Sequence, residues 1–146
     1  RFYPSGGARY PLEVYPLIFS VNGIKPGLYH YHVKTNSLEL LQSPISKINV
    51  FKQFNQSWLK NSSVLLLITA VFDRTENKYK NRGYRHILTE YGHMAQNTYL
   101  IGSSLNVGVC SIGGFVDMGL NKIIDIDGID ESVIGVIALG NIHLNS

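Results

Sequence analysis

Two segments rich in apolar and aromatic residues near the start of the chain predict β-strands, and in the second of them apolar and polar positions alternate with a period of two. The first, LEVYPLIFSV, begins at Leu12, and the second, LYHYHV, begins at Leu28. The intervening NGIKPG consists of turn residues, so the two strands are predicted to form a hairpin. SVLLLITAVF from Ser63 is apolar at almost every position, which is typical of a central strand covered on both faces. VIGVIALG from Val133 is the last predicted strand.

A period of three to four residues marks the middle of the chain and predicts one long helix. The segment from Tyr84 to Asn106 contains no proline. Its expected core-facing stripe consists of Leu88, Tyr91, Ala95, Tyr99, Gly102 and Leu105. Weaker patterns predict a short helix within residues 46–59, a strand in VGVCSIGGFV, and a short helix capped by Asp117 that reaches about Ile126. Together the elements predict an α+β fold, a mainly antiparallel sheet packed against helices.

Length and composition agree with a single domain over residues 1–146, since the chain is long enough for one core and too short for two. The longest uncharged apolar run, from Val64 to Phe72, is about half the roughly 20 residues of a spanning helix, so no membrane segment is predicted. The single cysteine, Cys110, cannot form an internal disulfide. A reducing, cytoplasmic environment is therefore expected.

The net charge of +3 is unevenly distributed. Basic residues and tyrosines share the segment DRTENKYKNRGYRH, whereas acidic residues gather in residues 117–131. Such a basic segment could contact a nucleic acid. The chain as a whole is not strongly basic and carries no nucleic-acid motif, so a solvated charged loop is the preferred interpretation.

Three other candidate sites are not favoured. His30 and His32 share one strand face, but no further metal ligand lies nearby in sequence, so no metal site is predicted. Cys110 and His93 lack a local signature of nucleophilic catalysis, and a buried thiol is expected. The glycines in residues 108–114 do not have the spacing of a dinucleotide-binding fingerprint.

Two glycine-rich stretches leave a choice between a turn and a ligand contact. PSGGARYPLEVY begins at Pro4, and IGGF begins at Ile112. Glycine permits both a sharp turn and a close approach of the backbone to a flat ligand. Both interpretations stand on the residues alone.

The order of several sequence blocks resembles the nitroreductase superfamily. These blocks are PSGGARYPLEVY, GLYHYHVKTNSLELL, NKYKNRGYRH, GHMAQNTYLIGSSLNVGVCSIGGF and VIGVIALG. More narrowly, Lys-Tyr followed by Arg-Gly-Tyr-Arg is similar to the branch that oxidises peptide thiazolines and oxazolines to thiazoles and oxazoles. The resemblance implies the cofactor FMN, an azoline-containing peptide substrate, a homodimer and association with a cyclodehydratase.

The resemblance also implies roles for individual residues. Lys78 and Tyr79 correspond to the pair that handles the proton during azoline oxidation. The implied flavin contacts are Pro4, Ser5, Gly6, Gly7, Ser111, Ile112, Gly113 and Gly114. Members of the family carry a further helical segment before the first glycine stretch and basic residues that hold the FMN phosphate. The expectation is therefore a nitroreductase-like domain that lacks this segment and binds FMN weakly by itself. A non-catalytic assembly partner and a general nitroreductase remain alternatives.

Overall fold

The computed structural model describes residues 1–142, in which a six-stranded sheet lies between two layers of helices. The strands are β1 (Leu12–Ile18), β2 (Gly27–His32), β3 (Ser37–Gln42), β4 (Val64–Val71), β5 (Val107–Ile112) and β6 (Glu131–Asn141). The helices are α1 (Lys47–Phe51), α2 (Asp73–Tyr79), α3 (Gly83–Ser104) and α4 (Asp117–Ile123). Short 3-10 turns cover Gly6–Ala8, Ser57–Asn61 and Lys80–Arg82. The predicted α+β class with an antiparallel sheet and one long helix is confirmed.

The sheet has the order β3-β2-β1-β4-β6-β5, and every neighbouring pair is antiparallel. β4 is an inner strand, as its apolar sequence predicts. Its Leu65 and Leu67 belong to the core beneath α1 and α4, whereas Ile68 and Ala70 belong to the core beneath α3. Residues that point to either face of β4 are apolar because both faces of this part of the sheet are covered.

The long helix α3 is confirmed to within two residues at each end, but its predicted buried stripe is partly wrong. Leu88, Tyr99 and Leu105 are 41%, 38% and 66% exposed. Ala95 and Gly102 are buried as predicted, and the other buried positions include Ile87 and Glu90, which the predicted stripe did not contain. A Cβ atom at position 102 would overlap the side chain of Val109 in β5, so this glycine fixes which side of the helix faces the sheet.

Two local predictions also need correction, and the sequence patterns missed one strand. The charged segment after β4 is not a loop but the helix α2, whose Asp73 and Glu76 in the first turn suit the helix dipole. The edge strand β3 has no buried residue and therefore lacks the half-buried alternation that predicts a strand. Asp117 is the first residue of α4 rather than its cap, and the helix ends at Ile123.

The two glycine stretches lie at the same end of the sheet, where β1 and β6 begin and β4 and β5 end. Leu12 at the start of β1 pairs with Ala70 at the end of β4, and Ala70 pairs with Ser132 at the start of β6. β5 runs toward the same edge and ends at Ile112, opposite Val136. The segment before β1, the helix after β4 and the segment after β5 therefore all leave the sheet on this side.

None of the helices within residues 1–142 combines the length and the apolar composition that crossing a bilayer requires.

Candidate functional site

The first glycine loop, residues 4–10, has an unusual backbone. Its Gly7, Ala8 and Tyr10 have φ angles of 59°, 55° and 49°, in the left-handed region that residues with a Cβ atom rarely occupy. The hydroxyl oxygen of Ser5 accepts a hydrogen bond of 2.8 Å from the Tyr10 amide, which closes the loop. Backbone strain of this kind persists where the surrounding contacts hold it in place.

Helix α2 places Lys78 and Tyr79 directly against this loop. An ideal Cβ atom on Gly7 would lie 2.7 Å from the Tyr79 hydroxyl oxygen and 2.8 Å from the Lys78 Nζ atom. The loop is therefore bare at Gly7 in part because these two side chains occupy the adjacent space. The Lys78 Nζ atom lies 5.3 Å from the centre of the Tyr79 ring. The amine of Lys78 and the phenol of Tyr79 therefore both lie next to the backbone of Gly7.

His86, near the start of α3, completes this cluster. Its ring centre is 4.7 Å from that of Tyr79, and its Cβ and Cγ atoms lie 3.6 Å from an ideal Cβ atom on Gly6. Sequence reasoning did not select His86, because its contacts with the loop and with α2 depend on the tertiary fold.

An ion-pair group ties α2 to the start of β1. Arg74 donates to the carboxylate of Glu13 and, over 3.3 Å, to the carbonyl oxygen of Tyr10. Arg1 donates to the same carbonyl oxygen over 2.7 Å, and His30 lies 3.1 Å from the other oxygen of Glu13. These contacts fix the helix that carries Lys78 relative to the first glycine loop.

Glu90 on α3 is a buried carboxylate beside the first glycine loop, with only 2% of its surface exposed. Burial raises its pKa, whereas the nearby Ser5 side chain and the charges of Arg1 and His93 oppose this rise. Its Oε1 atom has no hydrogen-bond partner within residues 1–142. The correct helical phase would have identified Glu90, since it follows the buried Ile87 by three residues.

Replacing Glu90 with glutamine is expected to change how stability depends on pH. A carboxyl group with a raised pKa in the folded state favours folding while it is protonated, and this contribution is lost as pH rises through that pKa. The melting temperature of Glu90→Gln should therefore fall less than that of the wild type between about pH 5 and pH 8. Thermal unfolding at both values measures this difference. Equal changes in the two proteins would contradict a burial-raised pKa at Glu90.

The second glycine loop, residues 111–116, is also held by α3. The Ser111 amide donates to the Tyr99 hydroxyl oxygen over 2.7 Å. Burial raises the pKa of Tyr91, and the neighbouring Ser111 side chain opposes this rise. Ile112 is buried in the core, whereas an ideal Cβ atom on Gly113 would have no protein atom within 4 Å. Helix α3 thus contacts both loops and leaves open space at Gly113.

Residues of the segment before β4 form one wall of the second glycine loop. The Gln56 Nε2 atom would lie 3.3 Å from a Cβ atom on Gly114. Phe54 pairs with Phe115 through a backbone bridge, and their ring centres are 6.5 Å apart. Gln56 was not selected from the sequence, which gives no sign that residues 56 and 114 are neighbours.

The structure does not bring the other candidate residues into catalytic groups. Cys110 is partly buried and packs in the core beneath α1 and α4, whereas His93 belongs to α3 on the opposite side of the sheet. His30 contacts Glu13, and the His32 Nδ1 atom is 2.7 Å from the Thr35 hydroxyl oxygen. No cluster of three or more His, Cys, Asp or Glu side chains suited to a metal occurs in residues 1–142.

Comparisons with known proteins agree with the fold and with the sequence blocks. The model of the nitroreductase family matches residues 1–141. The Methanocaldococcus jannaschii protein MJ1384, whose name assigns it to the nitroreductases, is 35% identical over 84% of this chain and 63% of its own length. The microcin B17-processing protein McbC of Escherichia coli is 29% identical over 87% of this chain and 49% of its own length.

Two further matches connect the chain to peptide-processing proteins. The trifolitoxin-processing protein TfxB of Rhizobium leguminosarum is 25% identical over 88% of this chain and 36% of its own length. The solved E. coli microcin synthetase McbBCD complex, with truncated pro-MccB17 bound, contains a chain that superimposes with a TM-score of 0.87 at 27% identity. That match covers 98% of this chain and 56% of the other. The chain therefore spans between about a third and two thirds of the lengths of these relatives. The resemblance to peptide-processing nitroreductases is confirmed.

Proposed function

The chain belongs to the nitroreductase family, and we propose that it is the catalytic domain of an FMN-dependent dehydrogenase that oxidises azoline rings in peptides to thiazoles or oxazoles. The observation that carries the proposal is the position of the Lys78 amine and the Tyr79 phenol beside Gly7 in the first glycine loop. The names of McbC and TfxB, both peptide-processing proteins, support a peptide as the substrate.

The chemistry requires a proton acceptor on one side of the azoline ring and a hydride acceptor on the other. Oxidation to the azole removes a proton from one ring carbon and a hydride from its neighbour. FMN, when bound, supplies the hydride acceptor. Lys78 or Tyr79 takes the proton, because each can act as a general base once deprotonated. The contacts of Arg74 with Glu13 and Tyr10 hold α2, and therefore this pair, against the loop.

The second glycine loop has room for a flat cofactor, and the first lies at the same end of the sheet. Gly113 offers open space where a side chain would otherwise project, and a ring stacked on backbone needs such a surface. Both loops leave the sheet at the same edge and both contact α3. The proposed FMN contacts are Pro4, Ser5, Gly6, Gly7, Ser111, Ile112, Gly113 and Gly114.

The direct test is oxidation of a synthetic azoline peptide by the purified protein supplied with FMN. Azole formation lowers the peptide mass by two daltons per ring, and mass spectrometry follows this loss. Bound oxidised flavin is measured separately by its visible absorbance after removal of free FMN. A protein that retains FMN but oxidises no azoline peptide would contradict the proposal.

A general nitroreductase is the second candidate, and the 35% identity to MJ1384 favours it. Reduction of nitroaromatic compounds by a nicotinamide cofactor distinguishes it from the first. Rapid nitroreduction without azole formation would support this alternative.

We propose that the protein acts in the cytoplasm, as a homodimer within a synthetase that includes a cyclodehydratase. The match to a chain of the McbBCD complex supports the synthetase. Support for the dimer comes from α3, where Leu100, Ile101 and Leu105 are 61%, 59% and 66% exposed. Apolar side chains grouped on one element are typical of an interaction surface.

Replacing Leu100 with lysine is expected to convert the dimer to a monomer at micromolar concentration, because the interface would then bury a charge. Light scattering measures the change in mass. Ile48→Lys is the control, since Ile48 is 82% exposed on α1, on the other side of the sheet. A wild-type monomer, or equal effects of the two substitutions, would overturn this assignment of the interface.

A further inference from the structure

A groove of about 590 Å³ lies between α1 and the 3-10 turn Ser57–Asn61, on the face of the sheet opposite α3. Phe51 and Phe54 form part of its lining and also pack into the core. Three lysines, Lys47, Lys52 and Lys60, line it as well. The groove therefore combines an apolar floor with ammonium groups.

The groove continues into the wall of the second glycine loop. Phe54 and Gln56 belong to both the lining of the groove and that wall. The Val116 amide donates to the Gln53 carbonyl oxygen over 2.9 Å, which fixes the two segments together. A chain that places one residue at the second glycine loop can thus extend its neighbouring residues into the groove.

The lysines of the groove are not paired with carboxylates in residues 1–142. Residues 40–72 contain these three lysines and no aspartate, glutamate or arginine. All three lysines are exposed, and none forms an ion pair with another residue in 1–142. Lys47 lies 5.6 Å from the centre of the Phe19 ring, a contact that does not neutralise it. The exposed Lys52 and Lys60 are therefore available to bind carboxylates of a ligand.

We propose that the groove binds an acidic segment of the peptide substrate, next to the residue that is oxidised at the glycine loops. This inference rests on the proposed function. An acidic peptide suits the groove better than a nucleic acid, because Phe54 is only 9% exposed and the partly buried Phe51 packs against Phe19, so the groove offers no fully exposed ring for base stacking. The groove also contains no arginine to pair with phosphates.

The test compares two fluorescent peptides of equal length that lack azoline rings, one with glutamates and one with glutamines at the same positions. Anisotropy with the whole chain is expected to show binding of the acidic peptide on the order of tenfold more tightly, and a weaker preference at higher salt. Lys52→Glu and Lys60→Glu should each weaken binding of the acidic peptide several-fold. Lys34→Glu, an equal charge change in the turn between β2 and β3, is the matched control and should have little effect.

Equal binding of the two peptides, or equal effects of Lys52→Glu and Lys34→Glu, overturns the proposal. A single-stranded RNA that displaces the acidic peptide with the same dependence on Lys52 also overturns it. The proposed function fails separately: if the acidic peptide binds as expected but no azoline peptide is oxidised, the groove proposal stands without that chemistry. Conversely, azoline oxidation that is equal for acidic and neutral peptides overturns the groove proposal alone.

Discussion

Lys78→Ala is expected to lower the rate of azoline oxidation by the FMN-loaded protein roughly 100- to 10,000-fold, the usual contribution of a positioned general base. The Lys78 Nζ atom lies beside Gly7, and α2 is held there through Arg74 and Glu13. Tyr79→Phe keeps the aromatic contact with His86 but removes the hydroxyl group. It is therefore expected to reduce the rate without a comparable loss of stability. Azole formation is measured by the mass loss per ring.

Lys80→Ala is the matched control for the loss of a positive charge. Lys80 is two residues from Lys78, and its Nζ atom donates to the Asn77 carbonyl oxygen over 3.2 Å. Flavin content is determined for each variant, so that loss of FMN is not mistaken for loss of catalysis. If Lys78→Ala and Tyr79→Phe both retain near wild-type rates with FMN bound, the pair does not handle the proton. The assignment to azoline oxidation would then lose its main support.

The sequence predicts the elements of this fold that have a long and regular pattern. β4 is recognisable because both of its faces are buried, and α3 because twenty-two residues keep a helical period without proline. α2 has seven residues and only one buried side chain, Thr75, so no apolar period marks it. β3 is an exposed edge strand that depends on backbone pairing with β2. Elements that bury little cannot be predicted from burial patterns.

In the candidate site too, local motifs can be recognised in the sequence, whereas long-range contacts cannot. Its glycines and the Lys-Tyr pair are short local motifs, and the family resemblance singled them out. Their meeting depends on the register that brings the ends of β1, β4 and β5 to one edge of the sheet. The contacts of His86 and Gln56 with the loops are long-range and leave no local signal. The sequence therefore proposes the reactive groups, whereas the residues that hold them become visible only in the fold.

Replacing glycine with alanine is expected to affect the free energy of unfolding differently in the two glycine loops. At Gly7, φ is 59° and an added Cβ atom would crowd the Tyr79 hydroxyl and the Lys78 amine. Gly7→Ala is therefore expected to lower the free energy of unfolding by about 1–3 kcal/mol. Urea unfolding measures this loss. A variant as stable as the wild type would show that the loop relaxes without strain.

At Gly113 the same methyl group meets no protein atom within 4 Å, so Gly113→Ala should change the free energy of unfolding by no more than about 0.5 kcal/mol. If the flavin ring lies on the second glycine loop, the methyl group instead occupies space that the ring needs. Overpacking of about 1–3 kcal/mol corresponds to an FMN affinity that is roughly 5- to 150-fold weaker. Titration with FMN, followed by flavin fluorescence, measures this change. A stable Gly113→Ala variant that binds FMN as tightly as the wild type would remove the second glycine loop from the proposed cofactor site.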